Sequence, residues 1–207
     1  MNANLLTVSK REFTYLKAQC GDLDHLSSDY STWLVAYREK LASTFFMIEP
    51  YLPAKCDLVL DIGSGLGGIN VLLCQHYAET LGKVPRIHLL DGDGSPQVQQ
   101  HNLPFSNMSL AVNFLSRHGV RQVSFSTPER FVEVGCFDLI VSFAAWCFHV
   151  PMETYLDYVL AHSHEDTIVI VDARRPTIVE KLRRHLRVID VAEYGKKYDR
   201  LIMKRGD

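Results

Sequence analysis

Eight residues carry the strongest chemical signal in this chain: Asp61-Ile62-Gly63-Ser64-Gly65-Leu66-Gly67-Gly68. Glycines at this density let a chain turn sharply and bring its backbone against a ligand with no Cβ in the way. They follow the apolar run Leu58-Val59-Leu60 and precede a helix-like stretch that ends near Leu81. A strand, a glycine turn and a helix in that order place a ligand at the carboxyl end of a parallel sheet. Gly63, Gly65 and Gly68 satisfy G-x-G-x-x-G, the dinucleotide fingerprint. Read from Asp61, the same residues are D-x-G-x-G-x-G. Two more acids, Asp91 and Asp93, follow the apolar run Ile87-His88-Leu89-Leu90. An ionised carboxylate only accepts hydrogen bonds, so it suits a ligand diol. Asp91 is favoured for that role because it directly follows the run, with Asp93 the alternative; the other then caps the turn.

A second group of reactive types lies in Ser142-Phe-Ala-Ala-Trp146-Cys147-Phe148-His149-Val150-Pro151. His149 is the candidate general base, since an unperturbed imidazole titrates near neutrality. Its alternative role is a structural hydrogen bond. Trp146 and Phe148 either wall an acceptor pocket or pack in the core. Arg174 and Arg175 follow a later apolar run, and Asp172 shares their edge as a possible substrate ligand. Cysteines stand at 20, 56, 74, 136 and 147, with no C-x-x-C spacing. His162-Ser163-His164 has no Cys or carboxylate at a familiar ligand spacing, so neither a disulfide framework nor a metal site is expected.

The elements that must position these groups are legible in outline. LVL (58–60), IHLL (87–90), VSFS (123–126), FDLIVSF (137–143) and TIVIV (167–171) read as strands, and helical segments fall between most of them. Continuous apolar strands separated by helices indicate a parallel sheet covered on both faces. RVIDVAEYG (187–195) and YDRLIMKR (198–205) are joined by too short a link for a crossover, so they pair antiparallel. Helices are also expected from near Pro151, over 107–118 ending at Gly119, and from Pro176 to about His185. Residues 1–55 read as an N-terminal helical cap. A helix over Tyr30–Tyr51 would present Trp33, Val35, Leu41, Phe45, Phe46 and Ile48 as a broad apolar face. Residues 56–207 form the ligand-binding core of the same structural domain.

On these residues the sequence resembles the class I S-adenosylmethionine (SAM)-dependent methyltransferases, over 57–205. Asp61, the glycines, an acid after the second strand, FDLIVS and the reversed terminal hairpin all match that family. The resemblance implies a Rossmann-like α/β fold: a mostly parallel seven-stranded sheet with a C-terminal antiparallel hairpin. It implies SAM as cofactor, held by Asp61, Gly63, Ser64, Gly65, Gly67, Asp91 or Asp93, and Ser142. Ser126, Thr127 or Glu129 would face the adenine. The loop 142–151 would face the methyl group, with His149 catalytic and Trp146, Phe148, Tyr30, Trp33 and Arg174 toward the acceptor. The N-terminal helices, including Tyr37, would lid the pocket.

The loop lacks [DNS]-P-P-[YFW] and a Pro-Cys nucleophile, so DNA amino and cytosine-C5 methylation are disfavoured. SFAAWCFHVP resembles small-molecule and sugar O-methyltransferases, which implies a hydroxyl acceptor on a sugar or metabolite. Residues 174–205 hold eleven Lys and Arg against four acids, in a chain whose net charge is −2. That local excess of cations leaves one alternative, a nucleic-acid methyltransferase using the basic C-terminal region; a second, from a different class, is a non-catalytic SAM-binding partner subunit. The start, MNANLLTVSKREF, has no long apolar core and no run reaches about 18 apolar residues, so a cytoplasmic protein without a membrane segment is expected.

Overall fold

Strand residues in the centre of this chain alternate between two apolar faces, and each face needs its own cover. A computed structural model describes residues 6–19, 23, 29–92, 107–174, 176–194 and 198–206. Seven strands form one sheet: β1 (Leu58–Ile62), β2 (Arg86–Leu90), β3 (Val123–Ser126), β4 (Phe137–Ser142), β5 (Ser163–Arg174), β6 (Leu186–Tyr194) and β7 (Tyr198–Arg205). Their order is β3-β2-β1-β4-β5-β7-β6. The first five run parallel, and β7 is antiparallel to both β5 and β6. The chain reverses its direction of strand addition between β1 and β4, so the loops after those two strands flank the crevice of the sheet.

On one face Val59, Ile87, Leu89, Leu139, Val141, Ile168 and Ile170 pack under four helices. These are α1 (Lys10–Gln19), α2 (Tyr30–Ile48), α3 (Gly68–Leu81) and α4 (Met108–Arg117). On the other face Leu60, Ile62, Ile140, Val169 and Val171 meet α5 (Leu156–Ala161) and α6 (Thr177–Leu182). The N-terminal helices therefore share one core with the sheet.

Local signals set the helix ends. Asp29 accepts the Thr32 N–H at 2.9 Å and caps α2; Asn107 accepts the Leu110 N–H at 2.9 Å and caps α4. Ser9 and Glu12 form a capping box at α1. The same buried Glu12 takes both its oxygens to Arg117 Nη2, at 2.9 and 2.7 Å, which ties α1 to α4.

Three expectations change. Pro50 converts the end of the expected Tyr30–Tyr51 helix into a 3-10 turn, Glu49–Tyr51. Val35 and Phe46 are exposed, because Val35 lies about half a turn around α2 from buried Trp33 and Phe46 about half a turn from buried Ile48. Pro151 is extended rather than helical, and a 3-10 turn, Met152–Thr154, precedes α5. Among the described residues no helix is long and apolar enough to cross a membrane.

One buried ion pair fixes the sheet at the crevice end. Asp172 on β5 and Arg200 on β7 are direct cross-strand partners. Arg200 Nε and Nη2 donate to the two carboxylate oxygens at 2.8 and 3.1 Å, and both side chains are almost wholly buried. Removing one partner strands a buried charge. Asp172→Ala is expected to cost about 3–5 kcal/mol in urea unfolding. The double replacement by Leu and Met is expected to cost clearly less than either single change. A loss under about 1 kcal/mol, the range of an exposed pair, would contradict the role given to this bridge.

Candidate functional site

The glycine turn is built by three left-handed residues. Gly63, Gly65 and Gly67 have φ of +72°, +55° and +76°, a region that side chains with a Cβ rarely adopt. The Gly63 N–H donates to the Leu90 carbonyl at 2.7 Å, which ties the turn to the end of β2. A Cβ at Gly63 would overlap the Ala145 methyl, so the loop after β4 closes directly onto this glycine. At Gly68, an added Cβ would lie 2.5 Å from the Tyr37 hydroxyl and 2.8 Å from Leu41. Helix α2 thus covers the start of α3 with Tyr37.

Two carboxylates meet at the turn. Asp91 Oδ2 accepts the Gly65 N–H at 3.0 Å, and Oδ1 accepts the Gly92 N–H at 2.8 Å. Asp61 is buried and receives the Asn70 amide at 2.7 Å. Burial pushes its carboxyl up to about 7; the charge of Asp91 adds to the rise and the Asn70 hydrogen bond opposes it. Among the described residues, two buried polar atoms beside them, Ser64 Oγ and Asn70 Oδ1, have no hydrogen-bond partner, which leaves both able to meet a polar group. Asp93 lies outside the described residues.

Tyr37, expected in the lid over the pocket, sets its hydroxyl at Gly68. Asn70, in the first turn of α3, carries no expected role in the sequence. Tyr155 is a second such residue. It is buried, and its hydroxyl is pushed up by burial and then by the charges of Asp91 and Glu129, which places it within electrostatic reach of both.

Several expected site residues serve the frame instead. The Ser126 hydroxyl is buried, accepts the Val132 N–H at 2.8 Å and bonds His88 Nε2 at 2.9 Å. Burial, and secondarily His162, pushes the His88 imidazole down to about 4, so that network is neutral. Among the described residues Ser126 meets the site through its carbonyl, which accepts the Asp91 N–H at 3.3 Å. Thr127 is half-buried and exchanges backbone hydrogen bonds with Arg130 at the end of β3. Ser142 is also buried; its hydroxyl donates to the Ile62 carbonyl at 2.8 Å and accepts the Trp146 N–H at 2.9 Å. Trp146 is a core residue whose indole donates to the Met152 carbonyl at 2.8 Å.

Tyr30 and Trp33 do not line the crevice either. The Tyr30 hydroxyl donates to the Val8 carbonyl, and Trp33 is fully buried between Phe13 and Tyr37. Asp172 is spent on Arg200 and on the Ala144 N–H at 3.1 Å, which removes it as a substrate ligand.

The loop after β4 is strained and tightly tied. Ala144 and Cys147 have φ of +51° and +68°. Each such residue costs roughly 1–2 kcal/mol unless its surroundings impose it. The Ala145 carbonyl accepts three N–H groups, from Phe148, His149 and Val150, at 3.1, 2.8 and 3.0 Å. These bonds lift His149 to the surface beside Phe148, ring centres 4.7 Å apart. Partial enclosure, and then the charge of Arg174, hold the His149 imidazole below its usual pKa. Arg174 is exposed and lies over the Phe148 ring. Arg175 lies outside the described residues.

The Asp61 carboxyl binds its proton more tightly in the folded chain than in an unfolded one. It therefore favours the folded state below the ordinary carboxylate range of about 4, and that contribution is lost as pH rises through about 7. Asp61→Asn is expected to raise the thermal midpoint of the ligand-free protein at pH 8 and to have little effect at pH 4. An equal effect at both pH values in thermal melts would refute the burial argument.

No protein-family model and no curated protein matches the sequence. Solved structures do resemble the chain. StiE O-MT residues 961–1257 superposes with a TM-score of 0.60 at 11% identity, over 97% of this chain and 83% of that one. The N-methyltransferase NodS of Bradyrhizobium japonicum WM9, in complex with S-adenosyl-L-homocysteine (SAH), gives 0.56 at 13%, over 92% and 100%. The ribosomal protein L11 methylase of Lactobacillus delbrueckii subsp. bulgaricus gives 0.53 at 20%, over 82% and 79%. Together with the strand order and the reversed terminal hairpin, these likenesses give the chain the fold of the class I SAM-dependent methyltransferases.

Proposed function

We propose that this protein transfers a methyl group from SAM to a hydroxyl of a small molecule such as a sugar or metabolite. The observation that carries the reading is the glycine turn itself, with two carboxylates and two unpartnered polar atoms gathered on it. Their chemistry fits SAM. Asp91 offers acceptor oxygens for a ribose diol, and Asp61 offers a carboxylate for an amino group. Ser64 and Asn70 supply further polar atoms that nothing in the described structure satisfies. When bound, SAM supplies a methyl carbon activated by a cationic sulfur.

The chain's own part is positioning and proton removal. A neutral imidazole is needed to accept a proton, and the depressed pKa of His149 keeps it neutral near pH 7. Transfer of the methyl group to the acceptor oxygen would break its bond to sulfur and leave SAH, and His149 would take the proton that the acceptor hydroxyl gives up. The Ala145 carbonyl fixes the His149 backbone, and the Ala145 methyl abuts Gly63, so base and glycine turn are held by one residue.

The structure also bears on the basic C-terminal region. Lys204 and Arg205 end β7 and pair in register with Ile168 and Leu186, at the end of the sheet away from the glycine turn. Lys181 is paired with Glu153, and Arg200 with Asp172. The cations counted in sequence are thus spread over both ends of the sheet. That favours a small acceptor over a nucleic acid running across a single basic face.

Calorimetric titration is expected to show binding of SAM and SAH and none of NAD. Binding of NAD alone would move the protein to the oxidoreductases. With an acceptor in hand, His149→Ala is expected to lower kcat by about 10²–10⁴-fold while leaving SAH affinity intact. An unchanged kcat would remove His149 as the base.

A further inference from the structure

The loop after β4 is gripped twice, each time by an arginine lying on a phenylalanine. Arg200 Cζ lies 4.8 Å from the Phe143 ring centre, and Arg174 Cζ lies 4.8 Å from that of Phe148. Stacking occupies the flat face of a guanidinium and leaves its N–H edge for a planar acceptor. At Arg200 that edge is filled, since Asp172 takes two of its N–H groups at 2.8 and 3.1 Å. Arg200 is buried, and the pair is internal to the frame. At Arg174 the side chain is exposed, and among the described residues no carboxylate pairs with it.

The position of Arg174 matters as much as its vacant edge. It closes β5 on the crevice side of the sheet and faces Tyr198 on the antiparallel neighbour β7. Its N–H donates to the Cys147 carbonyl at 3.1 Å. Phe148 stands edge-on to His149 and to Tyr198, with ring centres 4.7 and 5.5 Å away. One aromatic wall therefore carries both the candidate base and an unpaired cation. Through Ala145 the wall adjoins the glycine turn.

Resting on the methyl-transfer reading above, we propose that the acceptor is a hydroxy acid, whose carboxylate takes the N–H edge of Arg174 while its hydroxyl meets His149. The internal pair is the template: a carboxylate matches the guanidinium fork at Arg200, and the same stacked geometry is offered outward at Arg174. The carboxylate is a handle and is not itself methylated. It fixes the distance and direction at which the hydroxyl is presented, which is where an enzyme of this chemistry gains most.

The test is equilibrium binding in the presence of SAH. The probes are 4-hydroxybenzoate, salicylate and 3-hydroxybutyrate, each beside its own amide, with glycerol 3-phosphate as the phosphate arm. At least one acid is expected to bind about tenfold or more tightly than its amide, the effect of a charge-assisted hydrogen bond. Arg174→Gln is expected to bring that acid-to-amide ratio close to one, with SAH affinity and thermal midpoint unchanged. Arg174→Lys keeps the charge but loses the fork, and is expected to restore only part of the preference. The proposal is overturned if no acid binds to protein that does bind SAH, or if acid and amide bind alike. It is equally overturned if glycerol 3-phosphate binds in preference to every acid, if Arg174→Gln keeps the preference, or if turnover yields a methyl ester. Failure of SAH to bind is a different result and refutes the methyl-transfer reading instead.

Discussion

The absence of a side chain at Gly63 is the constraint on which the crevice depends. The Ala145 methyl fills the space where a Cβ would be, so the turn after β1 and the loop after β4 touch. Everything nearby is arranged to hold that contact. Ser142 bridges from the loop to the Ile62 carbonyl, Gly63 donates to Leu90, and Asp172 takes the Ala144 N–H. Two non-glycine residues, Ala144 and Cys147, accept left-handed backbone to make the approach. Strain of this kind persists only where surroundings over-determine it. Here three N–H groups converging on the Ala145 carbonyl and the Asp172–Arg200 pair provide that determination. The result is that His149 is presented from a rigid loop rather than a free one.

Among the described residues, Asp61, Asp91 and Asp172 stand near the crevice, and the fold treats them differently. Asp172 is neutralised by Arg200 and fixes structure. Asp61 is buried against Asn70, and its charge is opposed by Asp91. Asp91 is held by backbone N–H groups of the glycine turn and of Gly92. Folding thus concentrates unfavourable negative charge at the turn, an arrangement a cationic or hydroxyl-bearing ligand relieves. On the far side of Ala145 the sign is reversed, with Arg174 exposed beside a neutral His149. A positively charged cofactor and an anionic acceptor would each find its complement without competing for it.

What the sequence showed and what it hid divide along a physical line. The glycine turn was legible because positive φ and close approach exclude most other residues. The sheet was legible because continuous apolar runs and a short link admit few topologies. Hydroxyls were not: Ser126 and Ser142 satisfy backbone and histidine partners inside the protein as readily as they would a ligand. Trp146 was ambiguous for a related reason, since an indole serves a pocket wall or a core equally well, and its N–H found the Met152 carbonyl. Asp172 was misread because a linear window ignores register. The antiparallel pairing sets Arg200 beside Asp172 and carries Lys204 and Arg205 to the opposite end of the sheet.

The N-terminal helices show the same lesson in another form. Their aromatic residues were candidates for the crevice, yet Trp33 and Tyr30 bind the cap to itself: Trp33 stacks on Tyr37, and Tyr30 reaches the Val8 carbonyl. Only Tyr37, at the end of that stack, sets its hydroxyl against Gly68 at the start of α3. The Glu12–Arg117 pair, buried at Glu12, and the Thr7 N–H to His118 at 3.0 Å anchor the preceding segment to α4 and the residue that ends it. Phe13 on the anchored α1 packs on Trp33, which stacks on Tyr37, so Tyr37 is positioned by a chain of contacts rather than by its own loop. Gly68 is therefore a second place where a missing side chain matters. It lets a tyrosine from the cap sit on the helix that follows the glycine turn, and so couples the cap to the site through packing alone.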